Sequence, residues 1–200
     1  MDQQAANLLA ALRRTSASAE SKLTLLNTLK SDIKHYRVPE NAQGTIFECL
    51  KIAISQQTSS NIVTAALSTL GHLVKRLKIQ DADGTSIALH APKLWSALQE
   101  RLGDARESNR AGASQALADL WPYCTQDVER IIREDSITLG NVKAKEMGMQ
   151  WVVKMHQEAS LQFKSFVPAL VACLEDADGI VRDAAKSAIV ELFRYMTDPV

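Results

Sequence analysis

Apolar residues recur at three- and four-residue spacing between Phe163 and Met196. That spacing places them on one face of an α-helix. An acidic turn over residues 175–179 divides the pattern into two stripes, so the segment predicts a helical hairpin. Asp178 is the expected N-cap of the second helix, because a carboxylate accepts N–H bonds that the first helical turn leaves unpaired. The stripes are Phe163, Phe166, Val167, Leu170, Val171 and Leu174, then Val181, Ala184, Ala185, Ala188, Ile189, Leu192 and Phe193.

The same pattern continues through the rest of the chain. It predicts helices over residues 2–14, 22–36, 42–54, 61–77, 92–102, 111–121, 128–132 and 144–155. Ser18 is the expected N-cap of the second helix, and Pro39 and Pro122 end two of the units because proline does not fit a helix interior. Residues 80–85 form the predicted flexible joint. The tryptophans lie on the apolar stripes and are expected in the core; they are Trp95, Trp121 and Trp151.

The ten predicted helices pair into five hairpins. Equivalent positions near the start of each second helix are Lys22, Thr64, Arg110, Lys143 and Arg182. Their separations of 42, 46, 33 and 39 residues are close to the HEAT and armadillo period of about 40–47 residues. The pattern therefore predicts an all-α HEAT-repeat α-solenoid in which each hairpin buries one face against the next. A compact helical bundle is the alternative.

Composition narrows the class of protein. The chain has 200 residues, is 46% hydrophobic and 23% charged, and so has the composition of a folded domain. Acidic and basic residues number 23 each, so the net charge is zero and a nucleic-acid-binding domain is not expected. No apolar run is long enough to predict a membrane span, and the start of the chain does not resemble a secretion signal. Three widely separated cysteines, outside any C-x-x-C pair, are expected to be reduced thiols.

Motifs of common catalytic sites are absent from the sequence. The chain has no phosphate-binding P-loop, no G-x-G-x-x-G and no G-x-S-x-G. Its histidines lack H-x-x-x-H spacing and neighbouring cysteines. His156 and Glu158 are two residues apart and would face different directions on a helix. We therefore predict no enzyme activity, no catalytic residues, no metal and no cofactor.

A more specific resemblance lies in the last 52 residues. Residues 149–151, 155–158, 161–163, 174–179 and 181–187 resemble the first TOG domain of CLASP proteins, in particular the filamentous-fungal members. Three shorter segments are similar too, over residues 12–15, 30–34 and 126–130. The resemblance implies that residues 1–200 form a single TOG-type HEAT-repeat paddle at the N-terminus of a longer protein. The family's paddle has six repeats, and the apolar pattern predicts five hairpins here.

CLASP proteins associate with microtubules, stabilise dynamic microtubules and support the mitotic spindle and kinetochore attachment. The resemblance therefore implies microtubules or tubulin as partners, together with spindle, kinetochore or plus-end proteins. Nucleic acid and membrane are not expected as partners. The implied locations are the cytoplasm and cytoskeleton, the nucleus and the spindle.

In TOG domains that bind tubulin, the turns inside the hairpins form the contact edge. The corresponding turns here are residues 15–18, 55–60, 103–109, 139–143 and 176–180. A hairpin array places all its inner turns on one edge. Because tubulin is acidic, cations on that edge favour binding. The candidate contact residues are Thr15, Ser16, Gln57, Arg106, Arg110, Lys143, Lys145, Asp178 and Arg182.

Several of these cations have a structural alternative. Arg110 and Arg182 stand where HEAT arrays often place an arginine that pairs with an acidic turn residue of a neighbouring repeat, such as Asp104 or Asp176, and we favour that role. Two others are expected on a solvated face; they are Lys143 and Lys145. Three further basic residues lie outside the candidate set and are expected to offset the dipole at the end of their own helix; they are Lys75, Arg76 and Lys78.

The first two turns lack an apolar anchor. Tubulin-binding TOG domains usually place a tryptophan in the first turn, whereas residues 15–18 contain no aromatic residue and residues 56–58 no large apolar one. This argues against high-affinity binding of free tubulin by the domain alone. Contact with the microtubule lattice and binding of a kinetochore or plus-end protein are the alternatives. A HEAT-repeat interaction scaffold of the karyopherin or phosphatase-subunit kind, with no tubulin contact, is another.

Overall fold

The computed structural model describes residues 1–57 and 59–197, with side chains up to residue 194. All regular structure in the described residues is helical. The α-helices are α1 (Asp2–Arg13), α2 (Ala19–His35), α3 (Glu40–Ile54), α4 (Ser60–Gln80), α5 (Thr85–His90), α6 (Trp95–Leu102), α7 (Glu107–Leu120), α8 (Thr125–Arg130), α9 (Val142–Ala159), α10 (Val167–Cys173) and α11 (Gly179–Thr197). Short 3-10 helices precede α6 and α10 (Ala91–Leu94 and Phe163–Phe166), and α8 continues as a π-helix (Ile131–Thr138).

The helices stack in two layers. The first helices of successive hairpins pack in the order α1, α3, α6, the π-helix and α10, and the second helices pack in the order α2, α4, α7, α9 and α11. Each hairpin thus buries its apolar face against the next, and the predicted α-solenoid is confirmed over the compact bundle. None of the described helices is long and apolar enough to cross a membrane.

Local capping signals in the sequence were reliable. The Ser18 hydroxyl accepts the Ser21 backbone N–H at 3.1 Å, and the Asp178 carboxylate accepts the Ile180 N–H at 2.8 Å. Both predicted N-caps are therefore confirmed, because each residue satisfies an N–H that its helix leaves unpaired.

The predicted joint at residues 80–85 forms a turn that is held by hydrogen bonds. The Asp81 carboxylate accepts the Ser86 N–H at 2.8 Å, and Gly84 takes the left-handed conformation with φ at 69°. The Gln80 amide pairs with both the N–H and the C=O of Val38. The sequence pattern also missed α5, which begins at Thr85, because a six-residue helix is too short to show periodicity.

The core follows the predicted stripes with few exceptions. Trp151 is fully buried, whereas Trp95 and Trp121 are partly buried against the core. Val171 and Phe193 are 50% and 48% exposed although both lie on predicted stripes. These two belong to the last hairpin, where α11 packs on α9 and α10.

The cysteine thiols are all free. Cys49 and Cys173 are buried and Cys124 is partly buried, and burial raises the pKa of all three, that of Cys49 to about 12. A thiol whose pKa is raised by burial is less reactive, and the free cysteines agree with the expectation of reduced thiols.

The π-helix extends the predicted helix over residues 128–132 as far as Thr138. Its wider register aims Ser136 into the core, where the hydroxyl donates to the Ala144 carbonyl at 2.6 Å. Gly148 of α9 lies directly against this residue: a Cβ there would be 2.7 Å from the Ser136 Oγ and 2.9 Å from the Ile137 Cγ1. A 3.6-residue period does not describe a π-helix, so the sequence pattern ended too early.

Arginine side chains link consecutive repeats through hydrogen bonds. Arg101 of α6 is 5% exposed, and its guanidinium donates to the Ile54 carbonyl at 2.8 Å and the Gln56 carbonyl at 3.3 Å, both at the end of α3. The same group pairs with the Asp104 carboxylate at 2.5 Å. Carbonyls that a helix leaves unpaired at its C-terminus are thus satisfied by the following repeat.

Arg76 of α4 likewise satisfies unpaired carbonyls at the end of a helix in the preceding repeat. It donates through Nε to the Ile33 carbonyl at 3.0 Å and through Nη2 to the Lys34 carbonyl, at the end of α2. We predicted that Arg76 caps its own helix, α4. The structure corrects this, because the side chain turns towards the unpaired carbonyls of α2 that lie beside it.

The Asp104 carboxylate has a lowered pKa. Burial disfavours its charged form, but hydrogen bonds from the Arg106 N–H and the Arg101 guanidinium outweigh burial. A carboxylate whose folded pKa is lowered stabilises the fold above its unfolded pKa, and the contribution disappears as the pH falls through the folded value.

We predict opposite effects for alanine at two helical glycines. Gly148→Ala should lower the free energy of unfolding by about 1–3 kcal/mol, because its Cβ meets Ser136 and Ile137 too closely. Gly44→Ala should raise it by about 0.5–1 kcal/mol, because its Cβ would have only 3.5 Å contacts with His90 and Lys93 and alanine favours the helix. Urea unfolding measures both, and a shift in the same direction for both variants would contradict this packing.

We predict that Asp104→Asn destabilises the chain by about 3 kcal/mol at pH 7, because it removes the carboxylate that lies 2.5 Å from the buried Arg101 guanidinium and leaves the half-exposed Glu100, at 3.8 Å, as a weaker partner. The difference from the unmutated chain should narrow below about pH 4, where the carboxylate of the unfolded chain begins to be protonated. Urea unfolding across this pH range measures the effect. Asp183→Asn is the control, because Asp183 is 78% exposed and pairs with Lys186 at the surface. A pH-independent loss for Asp104→Asn would rule out the ion pair as its cause.

Candidate partner-binding edge

The inner turns from residue 55 to residue 180 are joined to one another by side chains. Arg101 links the second turn to the third through Gln56 and Asp104. The Asn141 amide donates to the Gly103 carbonyl at 3.0 Å, which links the third turn to the fourth. These turns therefore follow one another along one side of the solenoid, and we call this row of turns the inner-turn edge.

Two lysines continue the linkage. Lys143 donates to the Ala105 carbonyl of the preceding repeat at 3.2 Å. Lys145 pairs with the Asp176 carboxylate of the following repeat at 2.6 Å. Lys145 is 20% exposed on its side chain, so the expectation that it lies on a solvated face is wrong. It faces the next turn because that turn presents a carboxylate within its reach.

Asp176 is held as an ion by its neighbours. The pKa of Asp176 is lowered by the hydrogen bond from Lys145, and further by the N–H of Asp178 at 2.9 Å. Asp178 in turn caps α11, so the acidic turn serves the fold as a unit.

Arg110 and Arg182 play matching internal roles. Arg110 donates to the Asp104 and Ala105 carbonyls at 2.9 and 3.0 Å. Arg182 donates to the equivalent Asp176 and Ala177 carbonyls at 2.7 and 2.9 Å. The geometry supports an internal role for both arginines but corrects the expected partner.

The partner is the backbone of the arginine's own turn, and the reason is local. Each arginine lies six residues after the turn aspartate, on the first turn of its helix, so its guanidinium folds back over the turn carbonyls. One aspartate oxygen already accepts the backbone N–H two residues further on, from Arg106 in one turn and from Asp178 in the other.

Other candidate residues point outward. Arg106 is exposed, and within the described ranges its guanidinium has no side-chain or backbone partner. Lys143 is exposed apart from its one carbonyl contact. Gln57 is exposed and donates to the Glu100 carboxylate at 2.5 Å. Arg106 and Lys143 are thus the exposed cations that remain available among the candidates.

The first turn is tied to the array more loosely. Thr15 and Ser16 are exposed, and the nearest link to the next repeat is the pair between Arg13 and Glu48 at 3.9 Å. An exposed pair at that distance contributes little to stability. The candidate residues at this turn are therefore accessible, and among the described residues no side-chain hydrogen bond joins them to the second turn.

Sequence reasoning missed two apolar residues on the edge. Leu139 in the fourth turn is 77% exposed, and Ile180 at the start of α11 is 57% exposed. Both fall outside the apolar stripes, and Leu139 stands beside Gly140 and Asn141, so the available signal was a large apolar residue inside a polar turn. The C-terminal half of the inner-turn edge thus exposes one apolar side chain in its fourth turn and one in its fifth turn.

A polar recess of about 460 Å³ lies between the second, third and fourth turns. Its lining includes Gln57, Glu100, Arg106, Asn109 and Asn141. Such a lining offers hydrogen bonds and charge to a protein surface. Within the part of the chain that the structure describes, no group of histidine, cysteine or acidic residues could hold a metal ion.

Fungal relatives match nearly the whole chain. Protein STU1 of Phaeosphaeria nodorum is 46% identical over 193 residues, which cover 96% of this chain and 16% of that protein. Protein STU1 of Coccidioides immitis is 45% identical over 194 residues, which cover 97% of this chain and 15% of that protein. The chain thus spans about one sixth of the length of these relatives.

Solved structures share the fold. The MAST/Orbit N-terminal domain superposes with a TM-score of 0.82 at 21% identity, over 99% of this chain and 85% of that one. A chain from the structure described as "TOG-tubulin binding specificity promotes microtubule dynamics and mitotic spindle formation" superposes with a TM-score of 0.75 at 16% identity, over 94% and 71% of the two chains. At these identities the likeness supports the TOG-type HEAT-repeat fold.

The family model described as CLASP N terminal matches residues 1–199. Together with the fungal relatives above 40% identity, this match covers the two-layer solenoid and its inner-turn edge. The chain belongs to the CLASP N-terminal family.

Proposed function

We propose that the inner-turn edge is a protein-binding surface through which this domain contacts microtubules or tubulin without catalysis. The observation that carries the proposal is the pairing of exposed cations with exposed apolar residues on one linked row of turns. Arg106 and Lys143 supply the charge, and Leu139 and Ile180 supply the apolar contacts. Protein interfaces typically combine an apolar core with a polar rim.

The proposal gives the candidate residues two different roles. Contact residues are Thr15, Ser16, Gln57, Arg106 and Lys143, because each is exposed. Arg110, Lys145, Asp178 and Arg182 hold the turns in shape through internal hydrogen bonds and thereby position the contact residues.

The anchors explain how an edge without a tryptophan could bind. Apolar burial at Leu139 and Ile180 would stabilise the complex in the fourth and fifth turns rather than in the first. Two aliphatic side chains bury less area than an indole with its neighbours, so we expect this edge alone to bind free tubulin weakly. Several such edges linked in a longer parent protein would bind a microtubule lattice more tightly than any one of them.

We also propose that the domain is the N-terminal part of a CLASP-type stabiliser of dynamic microtubules that takes part in mitotic spindle formation. The chain matches only 16% and 15% of the length of the two fungal relatives, which supports the expectation of a longer parent protein. The corresponding locations are the cytoplasm and cytoskeleton, the nucleus and the spindle. Since the CLASP N-terminal family is non-catalytic, the chain is not an enzyme.

The second candidate function is a scaffold that binds a kinetochore or plus-end protein through the same edge, with no tubulin contact. The absence of an aromatic residue from the first turn favours it. Co-sedimentation with microtubules at low and high salt distinguishes the two, because a lattice contact through cations weakens as salt screens the charges.

We predict that Arg106→Glu combined with Lys143→Glu weakens microtubule co-sedimentation by about tenfold, because two favourable contacts with an acidic surface become repulsive. The helical signal in circular dichroism should stay unchanged. Lys93→Glu combined with Lys164→Glu is the matched control, since it reverses the same charge at exposed residues outside the inner turns. Equal losses in both double variants would mean that net charge, and not this edge, governs binding.

We predict that Leu139→Ser weakens co-sedimentation by about fivefold at any salt concentration, because it removes an apolar contact. Its melting temperature should stay within about one degree of the unmutated chain, since the side chain is 77% exposed and exposed substitutions rarely change stability. Leu89→Ser serves as a control at a residue that is 70% exposed on α5. Full binding by Leu139→Ser would remove this residue from the proposed interface.

A further inference from the structure

Although the net charge of the chain is zero, basic and acidic residues are distributed unevenly along it. Residues 1–80 contain ten lysines or arginines and five acidic residues. Residues 81–200 contain thirteen lysines or arginines and eighteen acidic residues. The first two hairpins are therefore basic and the rest of the chain is acidic. Where the excess basic residues lie together, they create a positive potential that attracts anionic partners.

Three lysines gather around a histidine on the faces of α2 and α4, away from the inner turns. We call these residues the α2–α4 basic patch; they are Lys30, Lys34, Lys75 and His72. Lys30 reaches across from α2 and donates to the Ser68 hydroxyl of α4 at 3.4 Å. Lys34 follows Lys30 by one helical turn, and Lys75 follows His72 in the same way, so each pair shares a helix face.

The charges converge on His72. Burial lowers the pKa of His72, and the charges of Lys34, Lys30 and Lys75 lower it further. All three lysines are therefore close enough to act on one ring. In the described ranges none of the three lysines forms an ion pair.

The lysines of the patch outnumber the acidic side chains beside them. Asp32 is two residues from each α2 lysine and so faces another side of the helix. Asp119 of α7 lines the groove across from Gly71, where its carboxylate accepts a hydrogen bond from the Gln115 amide at 2.9 Å, so one negative charge stands against three lysines. Arg76 is not part of the patch, because its guanidinium is used on the α2 carbonyls.

A groove of about 340 Å³ adjoins the patch between α4 and α7. Ser68, His72 and Lys75 belong to both the patch contacts and the groove wall. Gly112 allows the two helices to approach, because a Cβ there would be 2.8 Å from Leu67. Gly71 leaves the groove open, since its Cβ would be 3.5 Å from the nearest atom, on Asp119.

We propose that the α2–α4 basic patch and the adjoining groove bind a carboxylate-rich peptide segment of a partner protein. The lysines contact the carboxylates, and the groove receives small side chains between them. The remaining groove lining suits this role, with the hydroxyls of Thr64 and Ser108 and the apolar side chains of Leu67 and Ala116.

A peptide fits these observations better than a nucleic acid. The groove residues include no aromatic ring other than the His72 imidazole on which bases could stack. A long polyanion would also run onto the acidic second half of the chain. The surface consists of helix faces rather than inner turns, so the inference does not depend on the proposed microtubule contact.

The test measures fluorescence anisotropy of a fluorescein-labelled peptide of alternating glutamate and alanine, with the glutamine counterpart as the neutral probe. The triple variant Lys30→Gln, Lys34→Gln and Lys75→Gln should bind the acidic peptide about tenfold more weakly at low salt. The matched control triple is Lys93→Gln, Lys164→Gln and Lys186→Gln, which removes the same charge elsewhere and should bind within about twofold of the unmutated chain.

Gly71→Leu tests the groove without changing the charge. It should weaken binding severalfold, because leucine fills the groove, and it should not unfold the chain, since leucine favours a helix. Melting temperatures of all variants establish that they are folded. Microtubule co-sedimentation of the patch triple should stay near normal, which separates this surface from the inner-turn edge.

Three results would overturn the proposal. One is equal binding of the acidic and neutral peptides by the unmutated chain. Another is an equal loss in the patch and control triples, which would indicate a general charge effect. The last is tighter binding of single-stranded oligonucleotide that the patch triple abolishes, which would make the patch a nucleic-acid surface.

Discussion

A helical hairpin can bury only part of its apolar surface within itself, and the remainder must be covered by another hairpin. In this chain the coverage comes from the neighbour in sequence, first helix on first helix and second helix on second helix. That packing constraint arranges the molecule in two layers and brings the inner turns to one side. Every surface of functional interest is a product of it.

Polar contacts between repeats then fix the register of the stack. The carbonyls at the ends of α2 and α3 are satisfied by Arg76 and Arg101 of the following elements. An arginine suits this position because its planar guanidinium donates several hydrogen bonds in fixed directions. The same chemistry recurs inside the turns, where Arg110 and Arg182 hold matching carbonyls. Cations that the sequence alone would assign to a partner are thus used to build the edge that presents the others.

The two proposed surfaces would differ in the physical basis of binding. The inner-turn edge carries both exposed cations and exposed aliphatic residues such as Leu139, so apolar burial and charge would act together there. On the α2–α4 basic patch, charge would dominate and the groove would add shape. Electrostatic attraction mainly sets the rate and selectivity of association, whereas apolar anchors set how long a complex lasts.

The sequence by itself determined the helices, their pairing and several caps. Apolar periodicity and N-cap residues such as Ser18 and Asp178 express interactions within a few positions along the chain, which is why pattern reading found them. Tertiary structure decided the rest, including the π-helix register at Ser136, the burial of Lys145 against Asp176 and the exposure of Leu139. These features depend on distances to residues of another repeat, and no local pattern contains such distances. The sequence specifies the charge of a side chain, whereas the fold determines which group it pairs with.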